Sequence, residues 1–293
     1  MSDRSAKENS APVDGDEVEL EFLGDAPARI AIVSLNRPDQ LNPISGRPGG
    51  TRDQILSAIA RAEADPAVGC IVIRGNGRAF SGGGDLTGNR RRETLEEHRD
   101  FLLTTDRFHE RLRATSVPTI AEVHGFCLGA GLLLATGCDF VIAGESARFG
   151  FPEGRLGLVG ISPLVTTIGR QWSKFLMLTG EIIDAHRARD IGLVLTVESD
   201  DSLHTRVLDL AGRISRMPRS GVVLNRRTID AVADAAGDAD GRRAAVFHDS
   251  FTLQAGDLAT APDGRTFRSI LDSEGMDGMK KARAQQYRDN WLT

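Results

Sequence analysis

The sequence predicts an α/β protein whose sheet is largely parallel up to about residue 200, followed by a region of helices. Three observations predict this class. Continuous apolar runs such as 69–74 (GCIVIR) are typical of strands that are buried on both faces of a parallel sheet. Segments with the apolar spacing of helices alternate with these runs. After Ser202 the helical patterns continue, but we find no convincing strand.

Each predicted strand is a short apolar or alternating run that ends at turn-forming residues. Asn36 and Pro38 end the second strand, because proline fixes φ and asparagine bonds back to the backbone. The predicted strands are 18–22, 28–35, 69–74, 119–123, 138–143 and 193–197.

Each predicted helix shows apolar residues at a spacing of three or four. Thr51 or Asp53 is expected to cap the first helix, which Asp65 and Pro66 end. Segment 147–160 contains too many glycines for a regular element and is predicted to be a loop. The first predicted helix follows its cap and runs through Ile55, Ile59 and Ala62. The other predicted helices are 90–114, one through Ala135, 165–178, 185–191, 202–216, 221–235, 242–255 and 266–270, with a polar tail at 279–290.

The element pattern and the composition divide the chain into three parts. Residues 1–16 are polar and lack an apolar core, which predicts a disordered tail and excludes a signal peptide. Residues 17–200 form the predicted strand–helix core, and residues 201–293 the helical C-terminal region.

Charge and cysteine content exclude several function classes. The net charge of −5 gives no electrostatic case for binding nucleic acid or an anionic membrane. The basic run 90–92 is followed by three glutamates, which indicates a solvated, salt-bridged helix face. No apolar run reaches the ~18 residues of a membrane span. Three cysteines without metal-ligand spacing indicate reduced thiols and a cytoplasmic protein.

Two glycine-rich turns are the main candidates for chemistry. The stretch 119–131 (TIAEVHGFCLGAG) reads as a buried strand, a turn and an abrupt helix start, which leaves backbone N–H groups unpaired. The upstream cluster 81–85 (SGGGD) lets the backbone approach a ligand closely, since glycine has no Cβ. Either cluster alone is consistent with a tight connection. Together they predict an oxyanion hole.

Three carboxylates lie in or near these glycine-rich segments. Glu153 lies in an apolar, glycine-rich segment (FGFPEG), where a raised pKa would suit acid–base work. An ordinary loop carboxylate is the alternative. Asp85 is expected to cap the segment after its turn. Asp139 is expected to pair with backbone groups or an arginine.

Two other kinds of site match the sequence only in part. His124 and Cys127 suggest a nucleophile pair, but no signature of an activated cysteine accompanies them. Glu145 follows Gly125 at the spacing of a dinucleotide-binding unit, yet the glycines lack the G-x-G-x-x-G order. The histidines have no metal-ligand spacing.

Five segments in order resemble the crotonase, or enoyl-CoA hydratase/isomerase, superfamily. The resemblance covers about residues 18–200 and is weaker to about residue 280. The segments are LNRPDQLN (35–42), IVIRGNGRAFSGGGDL (71–86), TIAEVHGFCLGAGLLLATGCDFVIAG (119–144), FGFPEGRLGL (149–158) and LTGEIIDAHRARDIGLV (178–194).

The resemblance implies a spiral of ββα units with C-terminal helices that form a homotrimer or a dimer of trimers. It implies an acyl-CoA thioester as substrate, with coenzyme A as part of it and no metal or redox cofactor. The thioester oxygen would bind the N–H groups of Gly84 and Ala130, and Glu153 would be the general acid/base. The other expected substrate-binding residues are Ser81, Gly82, Gly83, Asp85, Gly129, Leu133 and Phe151.

One departure from the resemblance bears on the reaction. Hydratases of this family use two glutamates, and Leu133 stands where the first would fall. A single base can move a double bond, whereas adding water is easiest with two groups. The expected reaction is therefore isomerisation or hydration of an enoyl-CoA. A catalytically inactive acyl-CoA-binding homologue, or another crotonase-type reaction such as C–C bond hydrolysis, is the alternative. Lys280, Lys281 or Arg227 would meet the CoA phosphates, although solvated surface charge is the simpler interpretation.

Overall fold

The computed structural model describes residues 17–26, 28–85, 94–157, 164–252, 259–285 and 291–292. The predicted tail 1–16 and the basic run 90–92 lie outside these ranges. The ends of three predicted segments, at 158–160, 253–255 and 286–290, also lie outside them. No helix within the described ranges is long and apolar enough to cross a membrane.

A six-stranded sheet forms the centre of the core. Its order is β1-β2-β3-β4-β6-β9, and every pair except the antiparallel β1–β2 is parallel. The largely parallel sheet that the buried apolar runs predict is confirmed. The strands are β1 Val18–Leu23, β2 Arg29–Leu35, β3 Val68–Gly75, β4 Thr119–Val123, β6 Phe140–Gly144 and β9 Thr196–Glu198.

A second sheet is built from three-residue strands, and it is this sheet that positions the candidate site. Its strands are β5 Phe126–Leu128, β7 Arg148–Gly150 and β8 Ile182–Asp184. β5 pairs with β7 in parallel, and β7 pairs with β8 antiparallel.

The helices cover the main sheet and continue beyond it. α6 packs Leu203 and Val207 against sheet residues Ile32, Val72 and Ile142. The described helices are α1 Thr51–Ala64, α2 Leu95–Arg113, α3 Ala130–Thr136, α4 Leu164–Thr179, α5 Ala185–Asp190, α6 Asp200–Ser215, α7 Arg219–Ala235, α8 Asp238–Ser250 and α9 Phe267–Gln285.

Four local predictions are wrong. The predicted loop 147–160 contains β7 and a 3₁₀ turn at Pro152–Leu156. The last core strand begins three residues later than the predicted 193–197 and ends one residue later, and Leu193 and Val194 are buried in the turn before it. Segment 279–285 is not a polar tail but part of α9, where it buries Met279. Gly50, not Thr51 or Asp53, is the N-cap of α1.

Candidate active site

Three chain segments run side by side and in the same direction into the candidate site. Ser81 pairs with β5, whose Phe126 carbonyl accepts the Ser81 N–H at 2.8 Å. β5 pairs in turn with β7, and just beyond it the Gly129 N–H donates to Gly150 O at 3.0 Å. Because the three segments are parallel, the chain leaves all of them at one edge. Gly84, Ala130 and Glu153 each follow within three residues of these pairings.

The Gly84 N–H is open toward this edge. Ile44 bonds on either side of Gly84: its N–H donates to Gly83 O at 2.8 Å, and its carbonyl accepts the Asp85 N–H at 2.9 Å. The Gly84 N–H itself has no hydrogen-bond partner within the described ranges. Among the described residues, no atom lies within 4 Å of the position that a Gly84 Cβ would occupy. The Gly84 N–H is therefore a backbone donor without a protein acceptor in the described parts of the chain.

Ala130 supplies the second open donor. It is the first residue of α3, so its N–H has no partner inside the helix. Gly129 caps the helix with φ 51° and ψ −118°, a backbone conformation that glycine tolerates, and provides no side-chain cap. No hydrogen bond from the Ala130 N–H occurs in the described parts of the chain.

Close packing joins the two glycine turns into one structure. A Cβ added to Gly131 would lie 2.6 Å from Ser81 Cβ and 3.0 Å from the Ser81 carbonyl oxygen. The Ser81 hydroxyl donates to Asn42 O at 2.7 Å and accepts the Gly83 N–H at 3.2 Å. Ser81 is fully buried, so its side chain holds the turn.

The Glu153 carboxyl group lies against the start of α3. A Cβ on Gly129 would meet the two Glu153 carboxylate oxygens at 2.8 and 2.9 Å. The 3₁₀ turn that carries Glu153 is fixed from both sides. Arg155 donates to Thr179 O at 2.9 Å and pairs with the buried Glu181 at 3.3 Å.

The proton affinity of Glu153 suits proton transfer near neutral pH. Burial raises the pKa of Glu153 to about 7; its own backbone N–H and the cationic Arg283 oppose this shift, and Asp249 adds to it. A carboxyl group with this pKa is present in both protonation states near pH 7. It can therefore accept a proton and return it.

Three other predicted site residues make contacts within the fold: Phe151, Asp85 and Gly82. Phe151 is fully buried in the main core. Asp85 is buried and pairs with Arg37 at 2.5 Å, and the segment that it was expected to cap lies outside the described ranges. The Gly82 N–H donates to Leu41 O at 2.7 Å.

Leu133, where the resemblance places a first glutamate, lies one turn into α3. It is partly buried, packs against the main core and lines a cavity of about 650 Å³.

The structure gives no support to a cysteine nucleophile. Burial raises the pKa of the Cys127 thiol well above its usual value, so the thiolate is disfavoured. The His124 Nε2 lies 2.8 Å from Gly77 O. The expectation for Asp139 is confirmed, since it pairs with Arg226 at 2.5 Å and accepts the Thr119 N–H at 2.7 Å.

Sequence reasoning missed two charged residues near Glu153. Arg283 belongs to α9, in the segment that was predicted to be a polar tail, and Asp249 belongs to α8. Both act on the charge of Glu153. No sequence signal marks them, because the fold alone brings these distant segments to the 3₁₀ turn.

Comparisons with known proteins identify the family of the chain. The sequence model of the family described as "Enoyl-CoA hydratase/isomerase" matches residues 25–254. A probable enoyl-CoA hydratase of Mycobacterium bovis is 34% identical over 215 residues, which cover 71% of this chain and 80% of the relative. The 2,3-dehydroadipyl-CoA hydratase of Escherichia coli is 34% identical over 67% of this chain and 76% of its own length.

A solved structure shows the same fold. The crystal structure of an enoyl-CoA hydratase/isomerase from Xanthobacter autotrophicus Py2 matches with a TM-score of 0.82 and 28% identity, covering 93% of this chain and 98% of the other. The predicted crotonase-like fold is therefore confirmed. By sequence and by fold, the chain belongs to the enoyl-CoA hydratase/isomerase family of the crotonase superfamily.

Proposed function

We propose that this protein converts an enoyl-CoA thioester, with the Gly84 and Ala130 N–H groups binding the thioester oxygen and Glu153 transferring the proton. One observation carries the proposal. A half-buried carboxyl group with a pKa of about 7 lies against the glycine that precedes an open helix N–H. Family membership supports the acyl-CoA substrate.

The chemistry follows from where charge develops. When a base removes a proton near a thioester carbonyl, negative charge accumulates on the carbonyl oxygen. Two fixed N–H donors stabilise that charge without reorganisation, and one such donor is typically worth about 100- to 1000-fold in rate. In its ionised carboxylate form, Glu153 accepts the proton from the substrate. It then holds the proton next to the same carbon skeleton.

We favour isomerisation over hydration because of Leu133. Moving a double bond needs one group that takes a proton from one carbon and returns it at another, and Glu153 suffices for this. Hydration is easiest with a further group that positions water, and Leu133 is an apolar side chain where hydratases of the family place the first of their two glutamates. The M. bovis and E. coli relatives are named as hydratases, which keeps hydration as the second candidate.

The test is a panel of 2-enoyl- and 3-enoyl-CoA thioesters followed by ultraviolet absorbance. A gain of the conjugated thioester band from a 3-enoyl-CoA means isomerisation, and its loss from a 2-enoyl-CoA means hydration. Tight binding without a spectral change on any substrate would instead support a catalytically inactive acyl-CoA-binding homologue. Release of a shortened acyl product would indicate C–C bond hydrolysis.

The same proposal includes the cofactor and the assembly. Acid–base chemistry by Glu153 with two backbone donors needs no metal or redox cofactor, so we expect turnover to persist in a chelating buffer. We also propose a homotrimer or a dimer of trimers. Exposed apolar side chains on α7, described below, support this assembly.

A further inference from the structure

The turn that carries the Gly84 N–H is flexible by composition, so other parts of the chain must hold it. Gly82, Gly83 and Gly84 follow one another, and Gly83 has φ 116°, a conformation that side chains with a Cβ rarely adopt. Glycine also loses more conformational freedom on folding than any other residue. The direction of the Gly84 N–H therefore depends on the contacts that fix its neighbours.

Backbone contacts from one segment, 37–44, hold the turn. The Leu41 carbonyl accepts the Gly82 N–H at 2.7 Å. Ile44 bonds to the residues immediately before and after Gly84, and the Gly84 N–H takes no part in these bonds. The turn therefore takes its backbone conformation from segment 37–44.

Segment 37–44 is itself fixed by Asn42. This residue is 1% exposed and has φ 50°, which is uncommon for a residue other than glycine. Its Nδ2 donates to Asn76 O at 2.9 Å and to Ala79 O at 2.8 Å, and its Oδ1 accepts the Arg37 N–H at 2.9 Å. The backbone of Arg37 is thus held in place from within the same segment.

An ion pair joins this segment to the residue directly after Gly84. Arg37 Nη1 lies 2.5 Å from Asp85 Oδ2. The Asp85 side chain is 3% exposed and that of Arg37 18%, so solvent and salt screen the pair little. Charge-assisted hydrogen bonds of this kind are short and strong. Because Asp85 adjoins Gly84, the pair restrains the backbone on one side of the open N–H.

Glu17 holds the same guanidinium group independently of Asp85. Its carboxylate lies 3.5 Å from Arg37 Nη1 and is buried. The same carboxylate binds Arg47 and the Thr51 hydroxyl. Arg37 is therefore anchored at its backbone and at its charged end, and Asp85 is held by a cation that is already in place.

The pair also balances a charge that would oppose catalysis. Asp85 directly follows the proposed oxyanion donor, so a carboxylate there without its cation would repel negative charge on the thioester oxygen. Arg37 compensates that charge at 2.5 Å. A buried ion pair is weak evidence for added stability, because desolvation offsets its attraction. Beside a turn of three glycines, what the pair supplies is a fixed position and a neutral surrounding.

We propose that Arg37 and Asp85 are positioning residues, whose ion pair holds the Gly84 N–H in the direction of the thioester oxygen. Neither side chain touches the substrate. The inference rests on the proposed function, which makes Gly84 an oxyanion donor. Negative charge on the oxygen develops in the transition state, so loss of the pair should lower kcat and leave KM nearly unchanged.

The first test is the kinetics of Asp85→Asn on the enoyl-CoA that the wild type converts best. We expect kcat to fall about 10- to 100-fold with KM within a few-fold, since misplacement of a catalytic group by about 1 Å can cost on the order of 100-fold. Asp139→Asn is the matched control, because Asp139 also pairs with an arginine at 2.5 Å but lies outside the turn. An equal fall of kcat in both variants would overturn the inference.

A double variant tests whether the two residues act as a pair. Arg37→Gln removes the cation beside Asp85, so kcat should fall further than in Asp85→Asn. Adding Asp85→Asn to Arg37→Gln should then restore part of kcat, because the uncompensated carboxylate is gone. Losses that simply multiply would overturn the pair. Arg37→Lys keeps the charge and should retain more of kcat than Arg37→Gln, and it replaces Asp85→Asn in the kinetic test if that variant fails to fold.

Gly84→Pro tests whether the pair acts through the Gly84 N–H. Proline removes this N–H, and no atom of the described residues lies within 4 Å of the Gly84 Cβ position. In this background Asp85→Asn should cause no further loss of kcat. A further loss as large as in the wild-type background would show that Asp85 acts elsewhere and would overturn the inference.

The outcomes separate this inference from the proposed function. A folded Gly84→Pro variant with wild-type turnover would overturn the oxyanion assignment itself. A loss of kcat in Gly84→Pro but not in Asp85→Asn would leave the proposed function standing and overturn the inference. If the wild type converts no enoyl-CoA, hydrogen exchange of segment 81–85 decides. Faster exchange there in Asp85→Asn than in Asp139→Asn would support the pair as the restraint on the turn, and equal exchange would overturn it.

Discussion

Glu153 combines two properties that a proton-transfer group needs: a fixed position and a pKa close to neutrality. The contact with Gly129 and the Arg155–Glu181 pair fix the 3₁₀ turn. Burial in apolar surroundings raises the pKa to about 7, although Arg283 opposes the shift. Desolvation therefore dominates over the nearest cation.

The raised pKa of Glu153 predicts a pH-dependent cost in stability. Below about pH 4.5, the usual pKa of this carboxyl, both folded and unfolded states are protonated and the cost is absent. Between pH 4.5 and about 7 the unfolded state ionises first, so the free energy of unfolding falls by about 3 kcal/mol and then levels off. Glutamine does not ionise, so the stability of Glu153→Gln does not fall for this reason as the pH rises. Urea unfolding of both proteins across this range should show the variant gaining relative stability as pH rises; parallel curves would contradict the shift.

Ala130→Pro removes one proposed oxyanion donor and leaves the helix intact. Proline is tolerated at the first helical position, where the N–H has no intrahelical partner. We expect turnover to fall about 100- to 1000-fold with the thermal midpoint nearly unchanged. Ala130→Gly keeps the N–H and is the control. A folded proline variant with turnover within a few-fold of wild type would show that this N–H does not act.

At the scale of elements, the site depends on three-residue strands. β5, β7 and the Ser81 pairing set three parallel segments side by side, and each continues into a functional group. Strands of three residues are too short to show a recognisable alternation of apolar and polar residues. For that reason the sequence pattern predicted a turn at β5 and a loop at β7.

Gly131→Ala is expected to separate the two turns. The added Cβ would lie 2.6 Å from Ser81 Cβ and 3.0 Å from a backbone oxygen, so the backbone must shift. Overpacking of this kind costs about 1–3 kcal/mol, and turnover should fall as the donors lose alignment. Gly221→Ala in α7 is the matched control, because no atom of the described residues lies within 4 Å of its Cβ position. In urea unfolding the control should gain about 0.5–1 kcal/mol. Equal behaviour of the two variants would contradict the tight contact.

The long helices and strands could be predicted because their buried positions carry apolar residues, in a continuous run or at helical spacing. β4 begins and ends where its apolar run does, and α4 and α7 differ from their predicted bounds by one or two residues. The predicted helix 266–270 is much shorter than α9, which runs from Phe267 to Gln285. Gly275 and the polar residues around it hide the periodicity of α9, which is kinked at this glycine (φ 68°).

For the whole molecule, apolar side chains remain exposed on the C-terminal helices. Leu224, Ile229 and Val232 of α7 are 62%, 69% and 66% exposed. Exposed apolar clusters commonly mark protein–protein contacts. We therefore expect a trimer or a dimer of trimers by light scattering, and Leu224→Asp should shift it toward monomer. A wild-type protein that is monomeric at micromolar concentration would contradict the assembly.

The candidate site could be predicted only in its backbone and its one carboxylate. Gly84, Ala130 and Glu153 lie in motifs that the sequence shows. Arg283 and Asp249 could not be predicted, since their positions near Glu153 depend on how α9 and α8 pack against segments far away in the chain.

The most direct test of the account is the turnover of Glu153→Gln on the enoyl-CoA that the wild type converts best. The substitution keeps the shape of the side chain and removes its ability to exchange a proton. We predict loss of turnover by at least about 100-fold, as expected for a general acid–base group, with acyl-CoA binding retained in calorimetry. Turnover equal to that of the wild type would contradict the assignment of Glu153 as the acid–base residue.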